Sequence, residues 1–315
     1  MSVPTVEWLE LMEQEYLREF IPSGGAAVKI AIASETEVTS LRSALTFAAL
    51  RQHCLPVYVD AAEAKVHQIE RIFFEVAQQI DWDDLAEQWL RDKFTETGFE
   101  ITSEQSIRDV QGIATVLDKR PTDVCAMVER WIENDIIRDY RMSKEFRTAM
   151  ALMCSSVINP QNVTPSSADV LMQWLRGERA NLTALKQLQI YQRIARATAR
   201  QHLNSLAIWL HKTGYGGLMV YLDVSHVMKD IPAGTVPIRY TRSSTLDFYE
   251  VLRQFIDDTD ESKHLFMVVA CTPEMVEHPK KNLDNYTALK MRTADEVRDR
   301  NRSNPLNTLV RLENA

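Results

Sequence analysis

The sequence predicts an α/β protein: a parallel sheet flanked by helices, with a long all-helical insertion between the second and third predicted strands. Four short, nearly continuous apolar runs alternate with helix-like segments, which is typical of strands buried on both faces of a parallel sheet. Between about residues 95 and 213 no strand pattern occurs. We therefore expect an α/β core made of 1–95 and 214–315, with 96–213 as a helical insertion or subdomain.

The first 95 residues predict two strands among helices. Apolar residues at helical spacing in 7–21 indicate an amphipathic helix that ends at PSGG (22–25). β-branched and aromatic residues indicate strands. The predicted strands are AVKIAIA (27–33) and PVYVD (56–60), and the predicted helices are 7–21, 41–53, 61–80 and 81–94, the last with Asp81 as N-cap.

The rest of the chain predicts a helical stretch followed by two more strands. The helical segments are 104–118, 121–139, 143–158, 166–177 and 181–213, with a Pro-, Asn- and Ser-rich linker at 159–168. The later predicted elements are the strands GGLMVYLDV (216–224) and HLFMVVACTPE (264–274), a loop at 230–242, and helices at 244–258 and near 285–300.

The segment SETEVTS (34–40) follows the first strand, where α/β proteins often cradle a phosphate, and we expect it to be a loop. A phosphate-binding loop needs glycines that let backbone N–H groups face the phosphate, and a lysine as counter-charge. This segment has neither, and Glu35 and Glu37 add negative charge where a triphosphate would sit. The pair Ser34 and Glu37 has the spacing of a capping box. Hydroxyl contacts to a nucleotide, if one binds, would come from Ser34, Thr36, Thr39 and Ser40.

The strand GGLMVYLDV ends at Asp223, and an acid at a strand tip is the magnesium-holding feature of ATPases. In those enzymes a second acid usually follows, whereas Val224, Ser225 and His226 follow here. A cap for the next turn is the simpler interpretation of Asp223. The seven histidines do not cluster at metal-ligand spacing, so we predict no metal site and no catalytic residue.

Several segments together resemble the ATP-binding P-loop proteins of BREX-type phage-resistance systems. They are WLELMEQEYLREFIPSGGAAVKI, VDAAEAKVHQIERIFFEVAQQIDWDDLAEQWL, WLRGE (174–178), ARATARQHLNSLAIWLHKTGYGGLMVYLD, and ACTPE with NYTALKMR. The likeness runs from about 7 to 310 and is strongest over 7–90 and 170–292. It implies a P-loop NTPase (AAA+-like) sheet with a helical insertion, and ATP with Mg²⁺ as the family's cofactors. It also implies a cytoplasmic role beside a DNA methyltransferase, a phosphatase-like protein and often a helicase.

The sequence departs from the family at both of its nucleotide motifs. SETEVTS replaces the glycine- and lysine-containing loop, and LDVSH keeps Asp223 but loses the neighbouring acid. Asp223 is therefore the one ATPase-motif residue that transfers directly. These departures predict a degenerate site, and no cofactor is expected from the residues alone.

Three hypotheses for function follow. The first is a non-hydrolysing P-loop-like scaffold or regulatory subunit (a pseudo-ATPase) of a BREX-like antiphage complex. The second is an active ATPase with an atypical site, in which Lys29 or Arg42 replaces the loop lysine. The third is a DNA-binding module, in which Arg193, Arg196 and Arg200 share one helix face and follow a phosphate backbone.

The amino-acid composition excludes some classes of protein but does not choose among these three hypotheses. Four separated cysteines give no zinc or redox pair and fit a reducing cytoplasm. No apolar run reaches 18 residues, so we expect no membrane partner. The net charge of −8 divides into −12 for residues 1–175 and +4 for 176–315. That asymmetry permits a basic surface in the second part, although intramolecular pairing also explains it.

Overall fold

The computed structural model describes residues 2–99, 101, 105–159, 164–178, 180–232, 234–294 and 304–313. Contacts within the chain divide it into two compact units. We call residues Met1–Val76 with Tyr215–Ala315 the α/β unit, and residues Ala77–Gly214 the helical unit. The boundaries expected from the sequence, at 95/96 and 213/214, differ mainly at the first junction.

The α/β unit is built on a six-stranded sheet in which every pair of neighbouring strands is parallel. The strands are β1 (Val3–Pro4), β2 (Ala26–Ile32), β3 (Cys54–Asp60), β4 (Gly217–Asp223), β5 (Leu265–Cys271) and β6 (Leu309–Glu313). Their order across the sheet is β1-β6-β2-β5-β4-β3. The predicted α/β class with a parallel sheet is confirmed, and all four predicted strands are present.

The helices alternate with these strands, and the described residues between β3 and β4 contain no strand. In chain order they are α1 (Thr5–Leu11, continued by π-helical Met12–Phe20), α2 (Glu35–Arg51), α3 (Ile69–Gln78), α4 (Trp82–Glu96), α5 (Val110–Val116), α6 (Pro121–Trp131, continued by π-helical Ile132–Ile137), α7 (Lys144–Ile158), α8 (Pro165–Leu175), α9 (Leu182–Gln187), α10 (Ala199–Lys212), α11 (Ser225–Met228), α12 (Arg242–Asp257), α13 (Glu274–Glu277) and α14 (Thr287–Thr293), with a 3-10 turn at Leu283–Asn285.

One face of the sheet is covered by α1, its π-helical continuation and α2. Ala27 and Ala31 of β2 face this layer, and small side chains there let α2 pack closely on the sheet. Tyr221 of β4 joins the same core and donates its hydroxyl hydrogen to the Val38 carbonyl of α2, 2.6 Å away. This contact fixes the first turns of α2 above the carboxyl ends of β2 and β4.

Two predictions in the first part of the chain are wrong. The segment 34–40 is not a loop, because α2 begins at Glu35 and Ser34 is its N-cap. Residues 61–68 are turns and not helix. Asp60 accepts hydrogen bonds from the backbone just after β3, and the Tyr240 hydroxyl contacts the backbone of Ala61, Ala64 and Val66, which holds the segment in turns.

The helical unit has a core of aromatic side chains contributed by distant helices. Trp82 and Phe146 pack edge to face at 6.2 Å, and the Trp89 and Trp209 rings lie 5.9 Å apart. The predicted N-cap Asp81 accepts a hydrogen bond from the Asp84 N–H at 3.0 Å, as expected. The helices α4, α7 and α10 therefore direct buried aromatic faces into this core.

The predicted helix 181–213 is wrong, because it is two helices with a non-helical segment at 188–198. Gln189 adopts φ 60°, and the Ile190 N–H bonds back to the Leu185 carbonyl, which ends α9. The predicted helix 104–118 is shorter, α5, and residue 104 lies outside the described residues. Part of the linker 159–168 (160–163) and of the tail helix (295–300) also lie outside them, and α8 already begins at Pro165.

Candidate functional site

The N-terminus of α2 lies at the carboxyl end of β2 and is capped by its own side chains. Ser34 has extended backbone angles, and its hydroxyl accepts a hydrogen bond from the Glu37 N–H at 3.4 Å. The buried Glu37 carboxylate accepts in turn from the Ser34 N–H at 2.9 Å and from the Ser34 hydroxyl at 2.6 Å. The capping box indicated by the sequence is present, and a carboxylate occupies the N–H group that an anion would need.

The other hydroxyls predicted to face a nucleotide are exposed on the first turns of α2. Thr36 and the Ser34 hydroxyl lie 3.2 Å apart, and Ser40 donates to the Thr36 carbonyl at 3.2 Å. Thr39 is exposed. Nearby, Glu35 pairs with Lys229 at 2.7 Å. The structure thus brings these residues together on one helix end, but it directs their hydrogen bonds to the helix itself.

Asp223 lies at the same edge of the sheet and has an acidic neighbour. It is in register with Asp60 at the end of the adjacent strand β3. Asp223 accepts a hydrogen bond from the Ser225 N–H at 2.9 Å, which is the predicted turn cap. Asp60 accepts from the Tyr58 hydroxyl at 2.9 Å and from the Ala62 N–H at 2.7 Å. Two carboxylates therefore stand side by side at the carboxyl edge, each held by local donors.

Sequence reasoning missed Asp60, although a signal was present. The strands β3 and β4 end in VYVD (57–60) and VYLD (220–223), the same Tyr-x-Asp pattern. The pattern places the Tyr58 and Tyr221 rings 6.1 Å apart in a stacked pair and the two aspartates in register behind them. A repeated strand ending in a parallel sheet predicts two aspartates at the same edge, because the carboxyl ends of parallel strands meet there.

Arg42 supplies positive charge to this edge. It is exposed on α2, and its guanidinium lies 3.4 Å from the centre of the Tyr58 ring. Burial raises the pKa of Tyr58. The hydrogen bond to Asp60 and the negative charges of Asp60 and Asp223 raise this pKa further, whereas the positive charge of Arg42 lowers it. Arg42 is thus a cation at the edge where a loop lysine would act, although its guanidinium contacts the Tyr58 ring and not an anion.

Lys29, the other candidate for a replacement lysine, is the middle residue of β2, and its side chain extends toward the amino ends of the strands. Its ammonium donates to the Leu306 and Asn307 carbonyls just before β6 and lies 4.6 Å from the Tyr16 ring centre. Only 5% of its surface is exposed, and burial lowers its pKa to about 8. The Lys29 ammonium thus points away from the carboxyl edge that holds Asp223, and its role as a replacement lysine stays a prediction without support from this geometry.

The three arginines predicted to contact DNA do not share a helix face. Arg193 and Arg196 lie in the non-helical segment 188–198, and Arg200 lies in α10. Arg193 and Arg196 are exposed, and neither forms an ion pair with a carboxylate in the described part of the helical unit. The geometric argument for them is lost, and their contact with DNA stays a prediction.

Comparison with known proteins identifies the family. The family described as BREX system ATP-binding protein BrxC/D matches residues 99–315, more than two thirds of the chain. The chain belongs to this family. No curated protein and no solved structure gives a significant match.

The family match covers only part of the candidate site. It includes Asp223 and the strands β4, β5 and β6, and it begins after Ser34, Glu37 and Asp60. Among the residues that the structure describes, no three His, Cys, Asp or Glu side chains are grouped to hold a metal ion. Within the described ranges, every helix is too short or too polar to traverse a lipid bilayer.

Proposed function

We propose that this BREX-family chain is a non-hydrolysing scaffold or regulatory subunit of an antiphage complex, with a degenerate nucleotide site. The single observation that carries the proposal is the capping box at the start of α2. There the Glu37 carboxylate accepts from the Ser34 N–H and hydroxyl, the groups a nucleotide phosphate would need. A triphosphate entering this position would meet a fixed negative charge at hydrogen-bond distance.

The surrounding sequence supplies no replacement cradle. No glycine occurs between residues 26 and 97, so the chain after β2 lacks the residue that most readily forms the open turns with which backbone N–H groups surround a phosphate. No lysine occurs between residues 30 and 64. Lys229 contacts α2, but its ammonium is already paired with Glu35. Loss of the N–H donors and of the lysine together would remove several kcal/mol of phosphate stabilisation.

The active ATPase remains the second candidate, and one observation favours it. Asp60 and Asp223 lie in register at the carboxyl edge, with Arg42 close by. Paired acids at a strand edge are the kind of group that positions Mg²⁺ and water. In this reading Arg42 would leave the Tyr58 ring and contact a phosphate.

Binding and hydrolysis of Mg-ATP by the purified chain separate the two candidates. For a non-hydrolysing subunit we expect no saturable heat in titration calorimetry and no phosphate release above the Asp223→Ala background. Micromolar binding together with hydrolysis that Asp223→Ala abolishes would overturn the proposal in favour of the active ATPase.

Partners and location are part of the same proposal. We infer that the chain acts in the cytoplasm beside other BREX proteins, with a methyltransferase, a phosphatase-like protein and a helicase as the expected companions. Co-purification of the tagged chain with the products of neighbouring genes tests this. Recovery of the chain alone under gentle conditions would count against a role in a complex.

A further inference from the structure

A small cavity in the α/β unit has four cationic side chains and one carboxylate among its lining residues. Its volume is about 380 Å³, and its walls come from the turn after α11, the start of α12 and the turn after α13. The cations that line it are Arg239, Arg242, Lys280 and Lys281, and one carboxylate, Asp230, lines it as well. The strand β4 leads to the first wall and β5 to the third, so the cavity lies beyond the carboxyl edge of the sheet.

The Asp230 carboxylate forms an ion pair with Lys281 and so neutralises one of the four cations. Lys281 is 5% exposed, and its ammonium lies 3.1 Å from Asp230 and 2.9 Å from the Lys229 carbonyl. His278 lies 3.2 Å from the same carboxylate. The hydrogen bond to Lys281 is the largest of the effects that lower the pKa of Asp230, so the acid stays charged and bound to its lysine.

The remaining three cations are exposed and not neutralised. Arg239 donates to the Ile231 carbonyl at 2.8 Å, which fixes its guanidinium at the cavity wall. Among the described residues, no carboxylate forms an ion pair with Arg239, Arg242 or Lys280. The N-terminus of α12 adds little, because Thr241 and Ser244 cap each other's N–H groups. The positive charge available to a ligand is therefore that of the three side chains.

The cavity is suited to a phosphate group and poorly suited to a base. Its one aromatic residue, Tyr240, is 2% exposed, and its hydroxyl is engaged by the Ala61 and Ala64 carbonyls. No aromatic face is thus offered for stacking, which base recognition ordinarily uses. Arginine and lysine side chains without acidic partners are what contacts to a sugar-phosphate backbone require.

We propose that this cavity binds phosphates of a DNA backbone, with Arg239, Arg242 and Lys280 as the contacting residues. The site differs from the degenerate nucleotide site and from the arginines of segment 188–198, and it does not depend on whether ATP binds. Contacts of this kind carry no sequence preference and weaken with salt, because each neutralised phosphate releases condensed counterions.

Fluorescence anisotropy with a labelled DNA duplex of about 20 base pairs, between about 50 and 200 mM salt, tests the proposal. The test variant is Arg239→Gln with Arg242→Gln, and the matched control is Arg18→Gln with Arg71→Gln, two exposed arginines elsewhere in the α/β unit. For the test variant we expect at least about tenfold weaker binding at the lowest salt, and a log–log salt slope smaller by about 1.8. The control pair should leave both quantities within error of the wild type.

Two further samples separate loss of charge from loss of structure. Arg239→Lys with Arg242→Lys keeps the charges and should restore most of the affinity, and Lys280→Gln should reduce the slope by about 0.9. If the test pair left DNA binding intact while the control pair abolished it, the proposal would be overturned. Absence of DNA binding at low salt, or saturable binding of inorganic phosphate with no response to the duplex, would also overturn it.

Discussion

At the scale of single residues, the Glu37 carboxylate decides what occupies the N-terminus of α2. A serine at the N-cap and a glutamate three positions later satisfy the first donors of α2 from within the chain. The four-residue pattern was visible in the sequence, but its position after a buried strand also suggested a phosphate loop. The two interpretations differ in what occupies the helix N-terminus, and in the structure it is a carboxylate.

Ser34→Ala removes the N-cap hydroxyl and should lower the free energy of unfolding by about 1 kcal/mol. Ser40→Ala is the matched control on the same helix, because the exposed Ser40 hydroxyl donates to the Thr36 carbonyl of the preceding turn and caps no N–H group of α2. We expect the control to change stability by less than about 0.5 kcal/mol. Urea denaturation measures both, and equal losses would contradict the capping role of Ser34.

Lys29 gives a prediction for pH dependence. Its pKa of about 8 in the folded chain is below the usual lysine value, so between these two values the unfolded chain binds a proton that the folded chain releases. The stability that depends on Lys29 therefore rises with pH in that window and is constant below it.

Lys29→Met removes this dependence. From about pH 8 to about pH 10.5, the wild type should gain about 2–3 kcal/mol relative to the variant in free energy of unfolding. Denaturant titrations of both proteins across the window measure the difference. A difference that does not change with pH would contradict the burial of the charged group.

Strands that are buried on both faces could be predicted from the sequence. Elements whose position depends on contacts with distant parts of the chain could not. The strands β2, β4 and β5 are nearly continuous apolar runs whose residues are almost all buried, as is typical where helices cover both faces of a parallel sheet. The strand β6 alternates buried and exposed residues and reads as a polar tail, and β1 has only two residues. The pairing of Asp60 with Asp223 depends on strand order, which the sequence does not state.

The turns at 61–68 show how a tertiary contact can override a helical pattern. The Tyr240 hydroxyl accepts from the Val66 N–H at 3.1 Å and lies within hydrogen-bond distance of the Ala61 and Ala64 carbonyls. Tyr240→Phe keeps the ring and removes the buried hydroxyl that these backbone groups share. We expect a loss of about 1–3 kcal/mol in free energy of unfolding.

Tyr191→Phe is the matched control, since Tyr191 is 56% exposed. It should have almost no effect on stability. If Tyr240→Phe were equally neutral in thermal or urea denaturation, the hydroxyl would not be what holds residues 61–68 in turns.

At the scale of the whole molecule, the core of the helical unit decides where the domain boundary falls. The helix α4 contributes Trp82, Trp89 and Phe94 to that core, and Phe94 packs edge to face on Trp131 at 5.0 Å. A boundary at 95/96, as the sequence suggested, would separate these side chains from their partners. We therefore propose that 77–214 is the folding unit.

Two fragments test this proposal. Residues 77–214 should unfold cooperatively and have dispersed amide signals, because their aromatic core is complete. Residues 96–213 lack α4 and should be largely unfolded or aggregated. Cooperative unfolding of the shorter fragment with equal stability would place the boundary where the sequence first suggested it.

The central claim, that a carboxylate of the chain itself occupies the phosphate position, is tested most directly by titration of the purified protein with Mg-ATP. The account predicts no saturable binding up to about 1 mM nucleotide, a concentration that corresponds to only about −4 kcal/mol of binding free energy. Saturable binding in the micromolar range that Glu37→Gln leaves unchanged and Asp223→Ala abolishes would contradict it.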